Sequence, residues 1–242
     1  MVNDYKNKIY ENYHSIHTKK LYGDISIETI KRQFKFWKYF FSEYLPTDKN
    51  IKILDAGCGN GGFVYWLTQI GYKNTIGIDI SEELIDLGIS LNIKNIEQDD
   101  LIDHLKKHEG TYDIIFCRDV LEHFTKNEII EIFSLFNSAL KSSGKVIIQV
   151  PNGYSPNFGR IYYGDFTHET LFSETILNQI INATGYKFIK LKKVNPVPHG
   201  FVSLIRFVLW KLLRMKFQFY QMIETGYAKG FFTQNIIAEI KK

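Results

Sequence analysis

The stretch Asp55-Ala56-Gly57-Cys58-Gly59-Asn60-Gly61-Gly62 sets four glycines beside one acid. Glycines let a backbone turn sharply and approach a ligand closely. A helix that starts after them offers unpaired N–H groups. About twenty residues on, Asp79 ends a second apolar run, where an acid can accept hydrogen bonds from ribose hydroxyls. Gly57, Gly59 and Gly62 also satisfy the G-x-G-x-x-G spacing of dinucleotide binders. Asp55 counts against a dinucleotide: it would oppose a pyrophosphate, but suits a ligand that carries an ammonium. The chain also leaves little room for a separate substrate domain.

Histidines supply the candidate bases, because imidazole titrates near neutrality. Seven occur, at positions 14, 17, 104, 108, 123, 168 and 199. His123 closes Asp119-Val-Leu-Glu122-His123, just after a fourth apolar run. His168 closes Gly164-Asp165-Phe166-Thr167-His168 in a long loop. Asp165 could orient a histidine or the acceptor, or cap the turn. Either histidine could instead be a hydrogen-bonded structural group. His104 and His108 share a helix face and are expected to be solvated. No His/Cys/Asp cluster has convincing metal spacing, and no metal is expected.

The elements that must position these groups follow from hydrophobic pattern. Residues 3–45 read as helical, and Pro46 with the polar run 47–50 marks a loop. Short apolar runs then alternate with helical stretches: 51–56, 74–80, 93–98, 112–117 and 145–150, separated by 62–71, 82–90 and 126–141. Alternation of this kind predicts βαβ units and a mostly parallel sheet covered on both faces. A helix near 173–183, a strand near 186–193 and a last strand at 231–240 complete the pattern. The loop 151–171 and the segment 194–230 break it.

These residues resemble a class I S-adenosylmethionine-dependent methyltransferase. The motifs that carry the likeness are ILDAGCGNGG (53–62), TIGIDIS (75–81), IEQDDL (96–101), YDIIFCRDVLEHF (112–124) and GKVIIQVPN (144–152). The arrangement is similar to the small-molecule branch, including ubiquinone-biosynthesis O-methyltransferases. The tail, with YYGDFTHETLFS (162–173), NPVPHG (195–200) and IETGYAKGFFTQN (223–235), resembles methyltransferases of bacterial surface-polysaccharide assembly.

The resemblance implies an α/β, Rossmann-like doubly wound sheet of seven strands, mostly parallel with an antiparallel last strand. N-terminal helices (1–50) would form a lid, 51–193 the cofactor-binding core, 194–230 a helical acceptor-side insertion and 231–242 the last core strand. It also implies roles. Asp55, Gly57, Cys58 and Gly59 would hold the methionine part of the cofactor, and Asp79, with Ile80 beside it, the ribose. Asp100 would accept from the adenine amino group with Leu101 against the ring; Asp99 is the alternative by one register. Cys117 and Arg118 would stand at the ligand-binding end of the fourth strand, although Cys117 could equally be a small buried hydrophobe. Tyr10, Tyr13 and His14 are lid candidates, and Arg32 a partner for the methionine carboxylate. His123 or His168, with Asp165, would serve the acceptor.

Composition bounds the rest. The 242 residues carry a net charge of +4, but residues 186–242 hold 11 Lys and Arg against Glu224 and Glu239 alone. That region is +9 and the remainder −5, an asymmetry that points to an anionic partner or surface. Residues 199–222 form a helical pattern with Phe201, Leu204, Ile205, Val208, Leu212 and Met215 on one face and Arg206, Trp210 and Arg214 on the other. Such a helix could dock on the domain, build an acceptor pocket, or touch a membrane or partner. No nucleic-acid-binding motif accompanies the charge. Two cysteines and an N-terminus without an apolar stretch lead to the expectation of a reducing, cytoplasmic setting, peripheral to a membrane at most. The expected function is methylation of a small anionic acceptor, a sugar hydroxyl on a nucleotide- or lipid-linked glycan precursor. An amine acceptor, or a non-catalytic cofactor-fold module, are the alternatives.

Overall fold

The computed structural model describes residues 4–11, 13, 15, 19 and 23–242. Among the described residues the N-terminal part includes helices α1 (Asp4–Tyr10) and α2 (Ile27–Phe41), the latter started by a Ser26–Thr29 capping box. Ile30, Trp37, Phe40 and Phe41 form the buried stripe of α2. The alternating core follows: β1 (Ile53–Ala56), α3 (Gly62–Gln69), β2 (Thr75–Asp79), α4 (Glu82–Ser90), β3 (Ile96–Gln98), α5 (Leu101–Lys107), β4 (Tyr112–Arg118), α6 (Lys126–Ala139) and β5 (Leu140–Pro151). The remainder is α7 (Phe158–Tyr162), α8 (Glu174–Thr184), β6 (Phe188–Lys193), α9 (Phe201–Thr225) and β7 (Asn235–Lys241).

One seven-stranded sheet results, in the order β3-β2-β1-β4-β5-β7-β6. Strands β1 to β5 pair in parallel, while β7 runs antiparallel to both β5 and β6. Side chains alternate across it. Leu54, Ile115 and Ile148 pack with Phe133 and Phe136 of α6 on one face. Ile53, Ile114 and Phe116 pack with Trp37, Phe63 and Trp66 of α2 and α3 on the other. Burial on both faces explains why the strands read as continuous apolar runs. The chain order reverses between β1 and β4, which opens a crevice beyond their C-terminal ends.

The last strand begins later than the expected 231. Asn152 Nδ2 donates to the carbonyls of Phe231 (2.6 Å) and Thr233 (2.8 Å), taking groups a ladder would use. Pairing with β5 therefore starts at Asn235, opposite Pro151.

Helix α9 departs further from expectation. Only Ser203 of its 25 residues is buried. Phe207, Trp210, Arg214 and Phe217 lie half-buried on the docked side, whereas Phe201, Leu204, Ile205, Val208, Leu212 and Met215 are exposed. The arginine- and tryptophan-bearing side faces the domain and the aliphatic side faces out.

Candidate active site

A cavity of about 440 Å³ lies beyond the C-terminal ends of the parallel strands. Gly57 and Gly59 form its floor in the loop after β1, both with left-handed φ (+73° and +57°). Gly57 is required twice over: a Cβ there would lie 2.1 Å from Val120 Cγ2. At Gly59 a Cβ would meet nothing within 4 Å, so the bare backbone leaves open space beside the cavity. Asp79 fixes this loop, its Oδ2 accepting from Gly59 N (2.7 Å) and its Oδ1 from Ser81 N (2.9 Å). Burial raises its pKa, opposed by those backbone bonds.

Further round the wall stand Ile80, Asp99, Asp100 and Leu101. Asp100 caps α5, Oδ1 accepting from Ile102 N (2.9 Å) and Asp103 N (3.0 Å). Both oxygens of Asp99 are engaged, Oδ1 with Asp100 N and Oδ2 with His104 Nδ1 at 2.8 Å. His104, expected to be solvated, is buried: its Nε2 lies 2.7 Å from the Tyr112 hydroxyl. His108 stacks on it at 4.1 Å and bonds its carbonyl. His104 thus holds the wall behind the cavity, with the half-buried His108 stacked on it.

Asp55, Cys58, Cys117 and Arg118 lie behind the lining. Asp55 is fully buried and paired with Arg118, Nη2 to Oδ2 at 3.3 Å. The guanidinium lies 3.8 Å from the Phe63 ring centroid. Burial raises the Asp55 pKa, and Arg118 opposes the rise. Burial also raises both thiols well above their ordinary value, so Cys58 and Cys117 are protonated packing groups in this arrangement.

Helix α1 and Tyr13 cross the opening. Lys6, Tyr10 and Tyr13 line the cavity, and Lys6 Nζ donates to the His123 carbonyl at 2.6 Å. His14 lies outside the described residues. Arg32, expected near a methionine carboxylate, instead pairs with Glu28 at 2.9 Å and faces another cavity.

Of the candidate bases, His123 lines the cavity. Its Nδ1 lies 2.8 Å from Thr167 Oγ1, whose proton goes to Asp165 Oδ1 at 2.7 Å. Thr167 must therefore accept from Nδ1–H, which leaves Nε2 as the free lone pair of a neutral ring. Burial, reinforced by the nearby His168, lowers the His123 pKa to about 4. Burial would raise Asp165, but hydrogen bonds from Thr167 and Tyr13 (2.6 Å) outweigh it and hold the carboxyl at about 2. His168 packs 4.8 Å from His123, with Nδ1 donating to the Tyr162 carbonyl at 3.2 Å. Among the described residues, one ligand atom each from Glu122, His123 and His168 falls within 4.8 Å of the others, a set that could hold a cation.

Three site features were not foreseen. Thr167 links Asp165 to His123; the Asp-x-Thr spacing, a common side-chain turn, was the available signal. Glu122 is buried with Oε2 unpartnered, and burial, reinforced by Asp119, raises its pKa well above the ordinary carboxylate range. Asp119 has left-handed φ (+56°) and lines the cavity. It accepts from Gln149 Nε2 at 2.6 Å, and burial pushes its pKa up to about 6.

Asn235 Nδ2 reaches Asp119 Oδ1 at 3.5 Å, and Asn235 lines a second cavity of about 570 Å³. Arg32, Lys35, His199 and Arg206 give that cavity a basic wall, and Trp210 and Phe217 of α9 give it an aromatic one.

The strand order and the crevice define the Rossmann-like fold of the class I S-adenosylmethionine-dependent methyltransferases. Gly59's open backbone, the acids at positions 79 and 100 and the apolar Ile80 and Leu101 fit that cofactor. Residues 29–191 match the family model described as "Methyltransferase domain", and the chain belongs to that family. It is 29% identical over 126 residues to phosphoethanolamine N-methyltransferase 3 of Arabidopsis thaliana, covering 49% of this chain and 25% of that one. It is 35% identical over 88 residues to the ubiquinone biosynthesis O-methyltransferase of Hydrogenovibrio crunogenus, covering 34% and 36%. The chain thus spans only a quarter to a third of these relatives' length. Among solved structures, a SAM-dependent methyltransferase from Archaeoglobus fulgidus superposes with a TM-score of 0.64 at 21% identity, covering 93% and 98%.

Proposed function

We propose that this chain methylates a hydroxyl on a small anionic acceptor, with His123 as the general base. The observation that carries the reading is the His123–Thr167–Asp165 series, which ties up Nδ1 of a cavity-lining histidine and leaves Nε2 as the unprotonated nitrogen of a neutral ring. The cofactor, when bound, supplies an activated methyl group for in-line displacement. The protein has then to hold two reactants in line, exclude water and take one proton.

Each residue has a part in that task. Asp79 would receive the ribose hydroxyls. Asp100 is favoured over Asp99 for the adenine amino group, since both cap bonds fall on its Oδ1, whereas Asp99 Oδ2 is turned to the buried His104. Ile80 and Leu101 would flank the ring. Asp55, buried behind the lining and paired with Arg118, would meet the ammonium only once that pair opens. Tyr10 and Tyr13 would close over the methyl-transfer point.

The basic second cavity, which borders the first where Asn235 bonds Asp119, supports an anionic acceptor. We place a phosphorylated sugar there, nucleotide- or lipid-linked, as in surface-polysaccharide assembly in the cytoplasm. A second reading is N-methylation of a small amine. The ionised Asp165 near His123 favours it, since a carboxylate suits an ammonium, and the Arabidopsis relative bears the name of an N-methyltransferase.

Incubation with methyl-labelled cofactor and a panel of sugar phosphates, sugar nucleotides and phosphoethanolamine, read by mass spectrometry, separates the two. A labelled ether supports the first reading and a labelled amine the second. Failure to bind the cofactor by calorimetry would defeat both.

A further inference from the structure

We propose that α9 lays its outward face in the surface of an anionic lipid bilayer. More than half of the exposed large apolar side chains of the described residues belong to this one helix. Phe201, Ile205, Val208, Leu212, Met215 and Phe219 recur at spacings of four and three along it, and all are exposed. Apolar patches of this extent on a folded protein mark a surface that is covered in use. At 25 residues the helix is about 37 Å long.

Charge decides what covers it. Arg206, Lys211 and Lys216 are the exposed charges of α9 up to residue 223, and the first acid is Glu224. Lys216 sits within the apolar sector, and Arg206 and Lys211 lie at its edges. On a bilayer such side chains lay their stems along the acyl boundary and raise their ammonium groups to anionic headgroups. Against a second copy of the same face, Lys216 would be buried with no acid on that face to meet it. The sector is also too wide for a two-helix seam. Val202, Leu204 and Leu209 occupy flanking positions where a coiled coil would carry charged residues. Among the described residues no helix is long and apolar enough to cross a membrane, so the contact is in-plane.

The docked side of the same helix brings Ser203, Arg206, Trp210 and Phe217 to the basic cavity. An in-plane helix would thus place that cavity beside the headgroups. The proposal does not depend on the methyl-transfer reading, and its test does not use activity.

The test is co-sedimentation of the full chain with vesicles of phosphatidylcholine, with and without one-third phosphatidylglycerol, alongside light scattering without lipid. The expected result is a monomer that pellets with the anionic vesicles. Lys211→Glu/Lys216→Glu should weaken that binding roughly tenfold or more. Leu212→Asp/Phe219→Asp should abolish it with an unchanged melting temperature, since both side chains are already exposed. No pelleting of the wild type with anionic vesicles would overturn the proposal. So would a stable dimer that Leu212→Asp/Phe219→Asp dissociates, which would give the face to a second copy. The lysine variant decides the matter even if the aspartate variant fails to fold.

Discussion

The imidazole of His123 is held by the hydroxyl of Thr167: Nδ1 and Oγ1 lie 2.8 Å apart, and the hydroxyl proton is already committed to Asp165. A side chain 44 residues away thereby selects the tautomer of the proposed base. Replacing His123 with Gln should leave cofactor affinity unchanged and lower kcat by ~10²–10⁴-fold. Calorimetry and initial rates check the two halves of this expectation. Full activity would favour the amine acceptor, which needs no base if it arrives neutral.

Thr167 is a positioning residue and has its own signature. Thr167→Val keeps the shape but strands Nδ1–H, and should lower kcat roughly tenfold, the order of one buried hydrogen bond. Thr167→Ser should restore it. A structural role alone would lower the melting temperature in Thr167→Val without changing the pH profile of kcat.

Motif-borne parts of this site were legible because they are local. The glycine loop, Asp79 and the DVLEH segment each join one strand to the element after it, and the strand–helix alternation located them. What was not legible depends on distant partners. His104 and His108 look like a solvated helix pair until Asp99 and Tyr112 are brought to them. Arg32 was placed by family expectation, yet α2 carries it to the second cavity. The faces of α9 were readable, but the sequence could not show which one packs inward, and the ordinary rule of apolar faces inside fails there.

The pH dependence of stability should expose His123. Its folded pKa of about 4 lies below the ordinary 6.5, so it contributes stability above pH 6.5 that is lost as pH falls towards 4. The shift corresponds to about 3 kcal/mol at most. Asp119, raised to about 6, acts in the opposite sense: it destabilises as pH rises through that value. Both proteins keep Asp119, so the difference in melting temperature between wild type and His123→Gln across pH 7 to 4 isolates the histidine. The wild type should lose more stability over that range.

Asp79→Ala should weaken cofactor binding by ~10–100-fold through lost charged hydrogen bonds. It also frees Gly59 N–H, so some of the loss reflects a loosened loop. Asp79→Asn should retain part of the affinity, because its carbonyl can still accept from Gly59. Isothermal titration of the three proteins orders them; equal affinities would remove Asp79 from the cofactor site.

The two loop glycines should separate stability from binding. Gly57→Ala must hold φ at +73° and place a methyl 2.1 Å from Val120 Cγ2. Left-handed strain alone costs ~1–3 kcal/mol, and the displaced Val120 adds to it. Val120→Ala added to Gly57→Ala should recover the clash but not the strain. Gly59→Ala, at φ +57°, meets no protein atom within 4 Å, so its cost should stay near the strain alone. Its methyl lies in open space beside a cavity-lining backbone, however, where the cofactor would have to approach. Urea midpoints should therefore fall most for Gly57→Ala, while calorimetry should show Gly59→Ala folded and poor at binding. If Gly59→Ala binds the cofactor as tightly as the wild type, the ligand does not approach that backbone, and the loop's role reduces to turning the chain from β1 into α3.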